Sequence, residues 1–181
     1  MARIIQLQTE RLLLRQWKEE DLAPFAKMNA NPEVMKYFPN TLTTEESNQF
    51  ADRLRDIIKN RGWGLWALEL KDTGEFIGYT GLHDIDEQLP FAPGIEIGWR
   101  LSKEFWGNGY ATEAAKEVLR FSLISLQLEN IYSFTSMINS RSIALMERIG
   151  MKNTNRNFYH LNILINRKPS EHVLYKISYD S

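Results

Sequence analysis

A short segment with two glycines has the composition of an anion-binding loop. Its seven residues are Trp106, Gly107, Asn108, Gly109, Tyr110, Ala111 and Thr112. The segment lies between a predicted strand that ends at Leu101 and a predicted helix that begins near Ala111. Gly107 and Gly109 can adopt backbone angles closed to other residues, so successive N–H groups could converge on a diphosphate. The unpaired N–H groups and positive dipole of the following helix, and the Thr112 hydroxyl, would add donors.

Two known nucleotide-binding motifs fit this segment less well. A Walker loop would end in Gly-Lys-Ser/Thr, and the segment contains no lysine. A dinucleotide fingerprint requires a glycine three places after Gly109, where this chain has Thr112, and a long predicted antiparallel meander precedes the loop. The remaining alternative is a glycine-rich turn that enters a helix and binds nothing.

A carboxylate lies between two glycines in a predicted strand over 94–101. Alternation along the strand places its apolar residues on one face and Glu96 on the other, with Gly94 and Gly98 on either side. The two missing side chains would leave room for a reacting group to approach Glu96, directly or through water. The alternative is that Glu96 pairs with Arg100, about 13 Å away on the same face.

The composition bounds the class of protein. With 181 residues, 43% hydrophobic and 25% charged, we expect a single domain over 1–181. A net charge of -1 gives no global attraction to nucleic acid or to an anionic membrane, so neither is an expected partner. The chain has no cysteine, and no signal-like or membrane-spanning apolar stretch is apparent, which favours a cytoplasmic protein. We expect no metal, because the three histidines lack metal-ligand spacing.

The elements that would position these residues indicate an α+β fold. Strands are predicted at 11–16, 64–70, 76–82, 95–101, 131–136, 151–159 and 172–178, and helices at 18–29, 43–59, 111–126 and 139–149. The first three strands after the second helix form a meander, and strand 94–101, helix 111–126 and strand 131–136 form a βαβ-like unit. We therefore expect a central mixed, mostly antiparallel sheet of about seven strands with helices on both faces.

Four segments together resemble the GCN5-related N-acetyltransferase (GNAT) superfamily. Residues 106–114 read Trp-Gly-x-Gly-Tyr-Ala-Thr-Glu-Ala, residues 139–142 read Asn-x-x-Ser, and residues 146–151 read Met-Glu-Arg-Ile-Gly-Met. Residues 9–15, Thr-Glu-Arg-Leu-x-Leu-Arg, are similar to the start of the RimJ/RimL-like branch. The superfamily loop often begins with Gln or Arg where this chain has Trp106, which removes one side-chain donor and keeps the backbone donors.

The resemblance implies transfer of an acetyl group from acetyl-CoA to an amine, by direct attack in a ternary complex. This chemistry needs a deprotonated amine, a polarised thioester carbonyl and a leaving thiolate that can be protonated. Several relatives have a general base at or near Glu96, which is therefore the candidate base. Many have a tyrosine as the acid where this chain has Met146, so Ser142 is the substitute candidate. The alternative for Ser142 is a hydroxyl bonded to the preceding helical turn.

The same resemblance implies the contacts of acetyl-CoA. The backbone of 99–101 would pair with the pantetheine arm, and Asn139 would hold that arm from the start of a helix. The predicted contacts are Trp99, Arg100, Leu101, Trp106, Gly107, Asn108, Gly109, Tyr110, Ala111, Thr112, Asn139, Ser142 and Met146. Arg141 and Arg148 fit either the ribose phosphate or a solvated helix face. The aromatic candidates for the acceptor pocket, which equally fit core or rim positions, are Tyr37, Phe38, Trp63, Phe158 and His160.

The acceptor stays open at this point between a protein N-terminal amine, including that of a ribosomal protein, and a small-molecule amine. An alternative of a different class is a non-catalytic acyl-CoA-binding module that senses the cofactor or docks a partner. A homodimer is an expectation from family habit alone.

Overall fold

A computed structural model describes residues 1–165 and 168–179. The strands are β1 (Leu7–Gln8), β2 (Leu12–Arg15), β3 (Leu65–Leu70), β4 (Phe76–Asp84), β5 (Ile95–Leu101), β6 (Asn130–Ser136), β7 (Lys152–Asn153), β8 (Phe158–Ile165) and β9 (Lys168–Ser178). The α-helices are α1 (Leu22–Asn29), α2 (Thr44–Arg61), α3 (Tyr110–Ile124) and α4 (Ser140–Arg148), and 3-10 turns occur at Glu19–Asp21 and Lys103–Phe105. None of the helices in the described ranges is both long and apolar enough to cross a membrane.

The described strands form one mixed sheet. Its order is β1-β2-β3-β4-β5-β6-β9-β7. Strand β7 pairs with residues 175–176 of β9, and β8 pairs with residues 168–172 of the same strand. The β5–β6 pair is parallel and the other pairs are antiparallel, which confirms the predicted mixed, mostly antiparallel sheet. The described residues contain nine strands where about seven are expected, and two of these, β1 and β7, have only two residues each.

Helices cover both faces of the sheet, as predicted. On one face, the ring of Tyr79 in β4 lies 6.0 Å from both Phe25 of α1 and Phe50 of α2. On the other face, Trp66 of β3 packs edge-on against Phe121 of α3 at 5.6 Å. The sheet is therefore the middle layer, and alternate residues of β5 point into two different environments.

Local signals set the helix ends where the sequence indicates them. Thr43 caps α2 in a capping box with Glu46, since each side chain bonds the backbone N–H of the other residue. Gly62 and Gly150 have φ of 90° and 93° just after α2 and α4, which is the left-handed conformation expected past a helix end. Helix α3 begins at Tyr110, directly after Gly109.

Side chains of the N-terminal motif join β2 to α3, to the 3-10 turn at Glu19–Asp21 and to β3. Arg11 forms an ion pair with Glu113 in the first turn of α3, and Thr9 donates its hydroxyl hydrogen to the same carboxylate. The buried Arg15 binds Asp21 through two nitrogens and also contacts Glu69. The Thr-Glu-Arg-Leu-x-Leu-Arg pattern thus supplies three polar side chains that join β2 to its surroundings.

The C-terminal region differs from the prediction. The expected strand over 151–159 is wrong, because β7 ends at Asn153 and β8 starts only at Phe158. A turn separates them, in which Asn155 has φ of 57° and its N–H donates to the Asn153 side chain. No strand is predicted for 160–165, which forms most of β8, and β9 begins four residues earlier than predicted.

Candidate active site

The parallel strands β5 and β6 diverge after a single registered residue pair, Glu96 with Tyr132. Ser133 Oγ donates to the Ile97 carbonyl at 3.0 Å, and Trp106 Nε1 donates to the Leu101 carbonyl at 2.9 Å. Peptide groups alternate in direction along a strand, so the N–H and C=O of the intervening Trp99 also point toward β6. We call the space between the second halves of β5 and β6 the β5–β6 gap.

The loop over 106–112, which we call the cradle, is open on the side of its glycines. Gly107 and Gly109 have φ of 77° and 79°. A Cβ placed on Gly107 would have no atom within 4 Å, and Asn108 Nδ2 holds the turn by donating to the carbonyls of Phe105 and Trp106. Gly109 precedes α3 without a side-chain cap. The N–H groups of the first turn are therefore available to an anion, and the cradle fits a diphosphate.

Two arginines of α4 lie beside the cradle. The guanidinium of Arg141 stacks on Trp106 at 3.7 Å from the ring centroid, and Arg148 Nη1 donates to Thr112 Oγ1 at 2.9 Å. From the sequence, these two arginines fit either a contact with the ribose phosphate or a solvated helix face. Their position supplies local positive charge at the cradle of a chain whose net charge is only -1.

A third arginine at the cradle was missed by the sequence analysis. Arg11 lies over the Tyr110 ring at 4.5 Å, and its Nη2 would be 3.5 Å from a Cβ on Gly109. It is also paired with Glu113, so it contributes less free charge than the α4 arginines. Because 102 residues separate Arg11 from Glu113, no local spacing could have revealed this contact.

The start of α4 faces β5 across the gap. Asn139 Oδ1 accepts from Ser142 N at 3.3 Å as the helix cap, and its Nδ2 donates to Thr135 Oγ1 at 2.9 Å. Trp99 Nε1 donates to Ser142 Oγ at 3.3 Å, so the Ser142 hydroxyl points to β5. Met146 is fully buried in the core, unlike the two residues with which it shares a predicted helix face.

Glu96 is buried on the α1/α2 face of β5 and contacts a histidine. Only 7% of the residue is exposed, and Glu96 Oε2 lies 3.4 Å from His83 Nε2. The alternative of a Glu96–Arg100 pair is wrong, because Arg100 Nη1 instead donates to Asn29 Oδ1 at 2.7 Å. His83 is directly opposite Glu96 in the β4–β5 register, and this cross-strand pairing explains the contact.

The surroundings of His83 favour its protonated form. Burial, the largest single influence, lowers the pKa of His83, but the charge of Glu96 and its hydrogen bond outweigh it. The carbonyl and carboxylate of Asp84 act in the same direction as Glu96, and the net pKa lies above its ordinary value. Beside Glu96, His83 therefore binds its proton more tightly than a histidine in water does.

The room expected beside Glu96 is filled on one side only. A Cβ on Gly94 would lie 2.9 Å from Ile85 Cδ1 and 3.5 Å from the Tyr132 ring, so Ile85 closes that side. A Cβ on Gly98 would lie 3.5 Å from His83 Nε2, which is ordinary van der Waals contact, so the space on this side is kept. His83 is the more accessible member of the pair, since its side chain is 36% exposed and that of Glu96 only 10%.

The five aromatic pocket candidates fall in separate places. Phe38 stacks on Arg100 at 4.1 Å, Trp63 lies under a different guanidinium, and Tyr37 donates its hydroxyl hydrogen to the Ile138 carbonyl at 3.4 Å. Phe158 and His160 instead join an aromatic cluster formed by β6, β8, β9 and the chain between β4 and β5. Its members are Phe91, Tyr132, Phe134, Phe158, His160 and His172.

Two histidines that are apart in sequence meet in this aromatic cluster. The rings of His160 and His172 lie 5.3 Å apart, and burial is the largest cause that lowers the pKa of each. Together they do not make a metal site, because the described residues contain no group of three side chains that could hold a metal ion. Both rings also contact Phe134 and Phe158 in the same cluster.

Comparisons with known proteins agree with this geometry. A sequence profile for the "Acetyltransferase (GNAT) domain" matches residues 11–152. The chain belongs to the GNAT acetyltransferase family. This acetyltransferase is 30% identical to the uncharacterized N-acetyltransferase p20 of Bacillus licheniformis over 148 residues, which are 81% of this chain and 82% of that protein.

Solved structures share the fold of this acetyltransferase. A GNAT-family acetyltransferase from Bacillus anthracis has a TM-score of 0.80 at 24% identity and covers 96% of this chain and 98% of its own. The ribosomal-protein-S5-alanine acetyltransferase of Vibrio fischeri has a TM-score of 0.77 at 18% identity and covers 97% of each chain. Both likenesses concern the fold, so the acceptor has to be argued from the site itself.

Proposed function

We propose that this acetyltransferase transfers the acetyl group of acetyl-CoA to a primary amine, by direct attack in a ternary complex. One observation carries the proposal. Strand β5 presents the Trp99 peptide to the β5–β6 gap, while the chain following its end forms the open cradle and Glu96 lies near its start. A donor bound along β5 would therefore reach from the cradle to the carboxylate.

The donor side of the proposal uses mainly backbone groups. The N–H groups of the cradle and of the α3 first turn would bind the diphosphate, with Arg141 and Arg148 beside them. The pantetheine arm would pair with the Trp99 peptide as an added strand and pass Asn139 on α4. A peptide N–H that faces the gap would polarise the thioester carbonyl.

The proton transfers of the proposal use two side chains, Glu96 and Ser142. Glu96 would take the proton of the amine directly or through water, and the amine nitrogen would then attack the carbonyl carbon. The carbon–sulfur bond breaks as the tetrahedral intermediate collapses, and the sulfur leaves as a thiolate that needs a proton. Ser142 is the candidate donor of that proton, because its Oγ is at the gap and accepts a hydrogen bond from the Trp99 indole. That bond makes the hydroxyl a better donor.

The test is release of free thiol from acetyl-CoA over a panel of small amines and N-terminal peptides. We expect turnover with a subset of the amines. Ser142→Ala should lower kcat about ten- to hundredfold, the value of a hydrogen bond to a charged group. The matched control is Ser140→Ala, which alters an exposed hydroxyl one half-turn away in the same helix.

Two outcomes would contradict the proposal. Binding of acetyl-CoA without thiol release over the whole panel would indicate a non-catalytic binding module. Equal rates for Ser142→Ala and the unaltered protein would remove Ser142 from the mechanism and leave the transfer reaction itself in place.

A further inference from the structure

Among the residues that the structure describes, Arg100 is a buried cation without an anionic partner. Only 8% of the residue is exposed. Its Nη1 donates to Asn29 Oδ1, whereas Nε is buried and has no hydrogen-bond partner within residues 1–165 and 168–179. No carboxylate in these ranges forms a salt bridge with it. A buried charge of this kind is costly unless something pairs with it.

Aromatic rings fix the guanidinium in place. Its central carbon lies 4.1 Å from the ring centroid of Phe38, 5.2 Å from that of Tyr79 and 5.8 Å from that of Phe50. Cation–π contacts stabilise the charge in part. Aromatic rings do not, however, replace oxygen acceptors for the N–H groups of the guanidinium. Burial lowers the pKa of Arg100, and the charge of Tyr79 opposes this effect. The group is therefore pre-oriented and under-solvated.

Arg100 lines a cavity of about 410 Å³, which we call the Arg100 cavity. Its walls come from α2 and from the chain between α1 and α2, and include Phe38, Leu42 and Phe50. Two further charged residues line it, Glu46 and Arg53. With two guanidinium groups against the single carboxylate of Glu46, the net charge of the lining of the Arg100 cavity is positive.

We propose that the Arg100 cavity binds a carboxylate of the acceptor, so that the favoured acceptors are amines that also carry a carboxylate. This inference rests on the proposed function. A guanidinium presents parallel N–H groups that match a planar carboxylate, and the unused donors of Arg100 would be satisfied by it. Arg100 directly follows Trp99 in β5 and shares the face of Glu96, about 13 Å along the strand, so an acceptor anchored there must span that distance to bring its amine to the proposed base.

A purely structural role for Arg100 would predict something different. Asn29 Nδ2 donates to Ser47 Oγ, and Arg100 thereby belongs to a buried chain that links β5 to α1 and α2. This chain uses one of five guanidinium N–H groups. A structural role alone would make stability, and not the choice between acceptors, depend on Arg100.

The first experiment uses the unaltered protein and acceptor pairs that differ only in charge. Amino acids and ω-amino acids of increasing chain length are compared with their carboxamides, and glutamate-containing tripeptides with their glutamine counterparts. We expect kcat/KM to favour the carboxylate member about ten- to hundredfold in at least one series. The series that shows the preference identifies the source, a free acid or an acidic peptide. Equal kcat/KM within every pair would overturn the proposal.

Variants then assign the preference to one side chain. Arg100→Met should bring the carboxylate-to-carboxamide ratio close to one, and Arg100→Lys should recover part of it, because lysine keeps the charge without the planar fork. Arg61→Met is the matched control, since Arg61 also stacks on an aromatic ring, Trp63 at 3.7 Å, outside the Arg100 cavity. A ratio that survives in Arg100→Met would contradict the assignment.

An equilibrium measurement separates this inference from the proposed function. Phenylacetate and phenylacetamide are titrated against the protein by NMR without any acetyl donor. We expect saturable binding of phenylacetate that is at least tenfold tighter than that of the amide and is lost in Arg100→Met. Absence of acetyl transfer with this binding intact would refute the proposed function alone. Equal affinity for the two probes would refute the carboxylate site alone.

Discussion

The cradle and the α1/α2 face of β5 are built in opposite ways. The cradle consists of consecutive residues, 106–112, and its open donors are backbone N–H groups at two left-handed glycines and a helix start. The other face consists of single side chains, Glu96 and Arg100, whose partners His83 and Asn29 come from distant strands and helices. One region is therefore local in sequence, and the other is assembled only by the fold.

Because the two regions are built differently, the donor half and the acceptor half of the proposed site can change independently of each other. Backbone donors tolerate almost any side chain nearby, which suits a constant donor such as a diphosphate. Side chains such as Arg100 can be replaced while the backbone pairing of the strand that carries them is kept, which suits recognition of one particular acceptor. On this basis, changes to the cradle should alter donor binding, and changes to Glu96 should alter the chemical step.

The largest effect is expected for Glu96→Gln. This substitution keeps the size of the side chain and its contact with His83 but removes the proposed base, so kcat should fall about 10²- to 10⁴-fold. The dissociation constant of acetyl-CoA should change less than about twofold, because the cradle is untouched. Steady-state kinetics and calorimetry measure the two quantities. An unaltered kcat would remove Glu96 from the mechanism, and a large loss of donor affinity would break the separation of the two regions.

An intermediate effect is expected for Gly107→Val, with Gly74→Val as the matched control. Both glycines have similar backbone angles, φ of 77° and 72°, and a Cβ on either would have no atom within 4 Å. Each substitution should therefore cost about 1–2 kcal/mol of stability through the left-handed backbone alone. Only Gly107→Val should also lower the affinity for acetyl-CoA, by about ten- to hundredfold, because its side chain obstructs the cradle.

Calorimetry on the two glycine variants decides the role of the cradle. If both bind acetyl-CoA as the unaltered protein does, the cradle does not hold the diphosphate. If both lose affinity alike, the loss reflects stability and not a specific obstruction.

The smallest effect is expected from the pH dependence of the His83–Glu96 pair. The pKa of His83 is raised above its ordinary value of 6.5, so the folded protein binds this proton more tightly than the unfolded chain. The resulting stabilisation is fully present below pH 6.5 and is lost as pH rises through the folded pKa. Because the His83 side chain is 36% exposed, we expect less than about 1 kcal/mol, or about 2–4 °C in Tm.

The measurement is the difference in Tm between the unaltered protein and His83→Asn across pH 5 to 9. The difference should shrink as pH rises. Taking the difference removes the opposite trend from His160 and His172, whose lowered pKa values make stability fall as pH decreases. A difference that grows with pH would show that the pair does not hold the His83 proton.

Prediction from sequence worked best where neighbouring residues decide the structure. Strand 95–101 has the predicted bounds, and the Thr43–Glu46 capping box and the glycine stop after α4 are confirmed. It was wrong in the C-terminal region, because a turn at Asn155 interrupts the strand predicted over 151–159. It was also wrong about the room beside Glu96 on the Gly94 side, because Ile85 fills that space from another segment.

Local sequence was enough to predict the glycines and the helix start of the cradle, and the alternation that sets Glu96 and Arg100 on one face of β5. These features depend on backbone freedom and on a two-residue period, which act between neighbours. The contacts of those side chains depend on the tertiary structure. Arg11 reaches Glu113 over 102 residues and Arg100 reaches Asn29 over 71, and such contacts arise from how the layers pack, which no local pattern encodes.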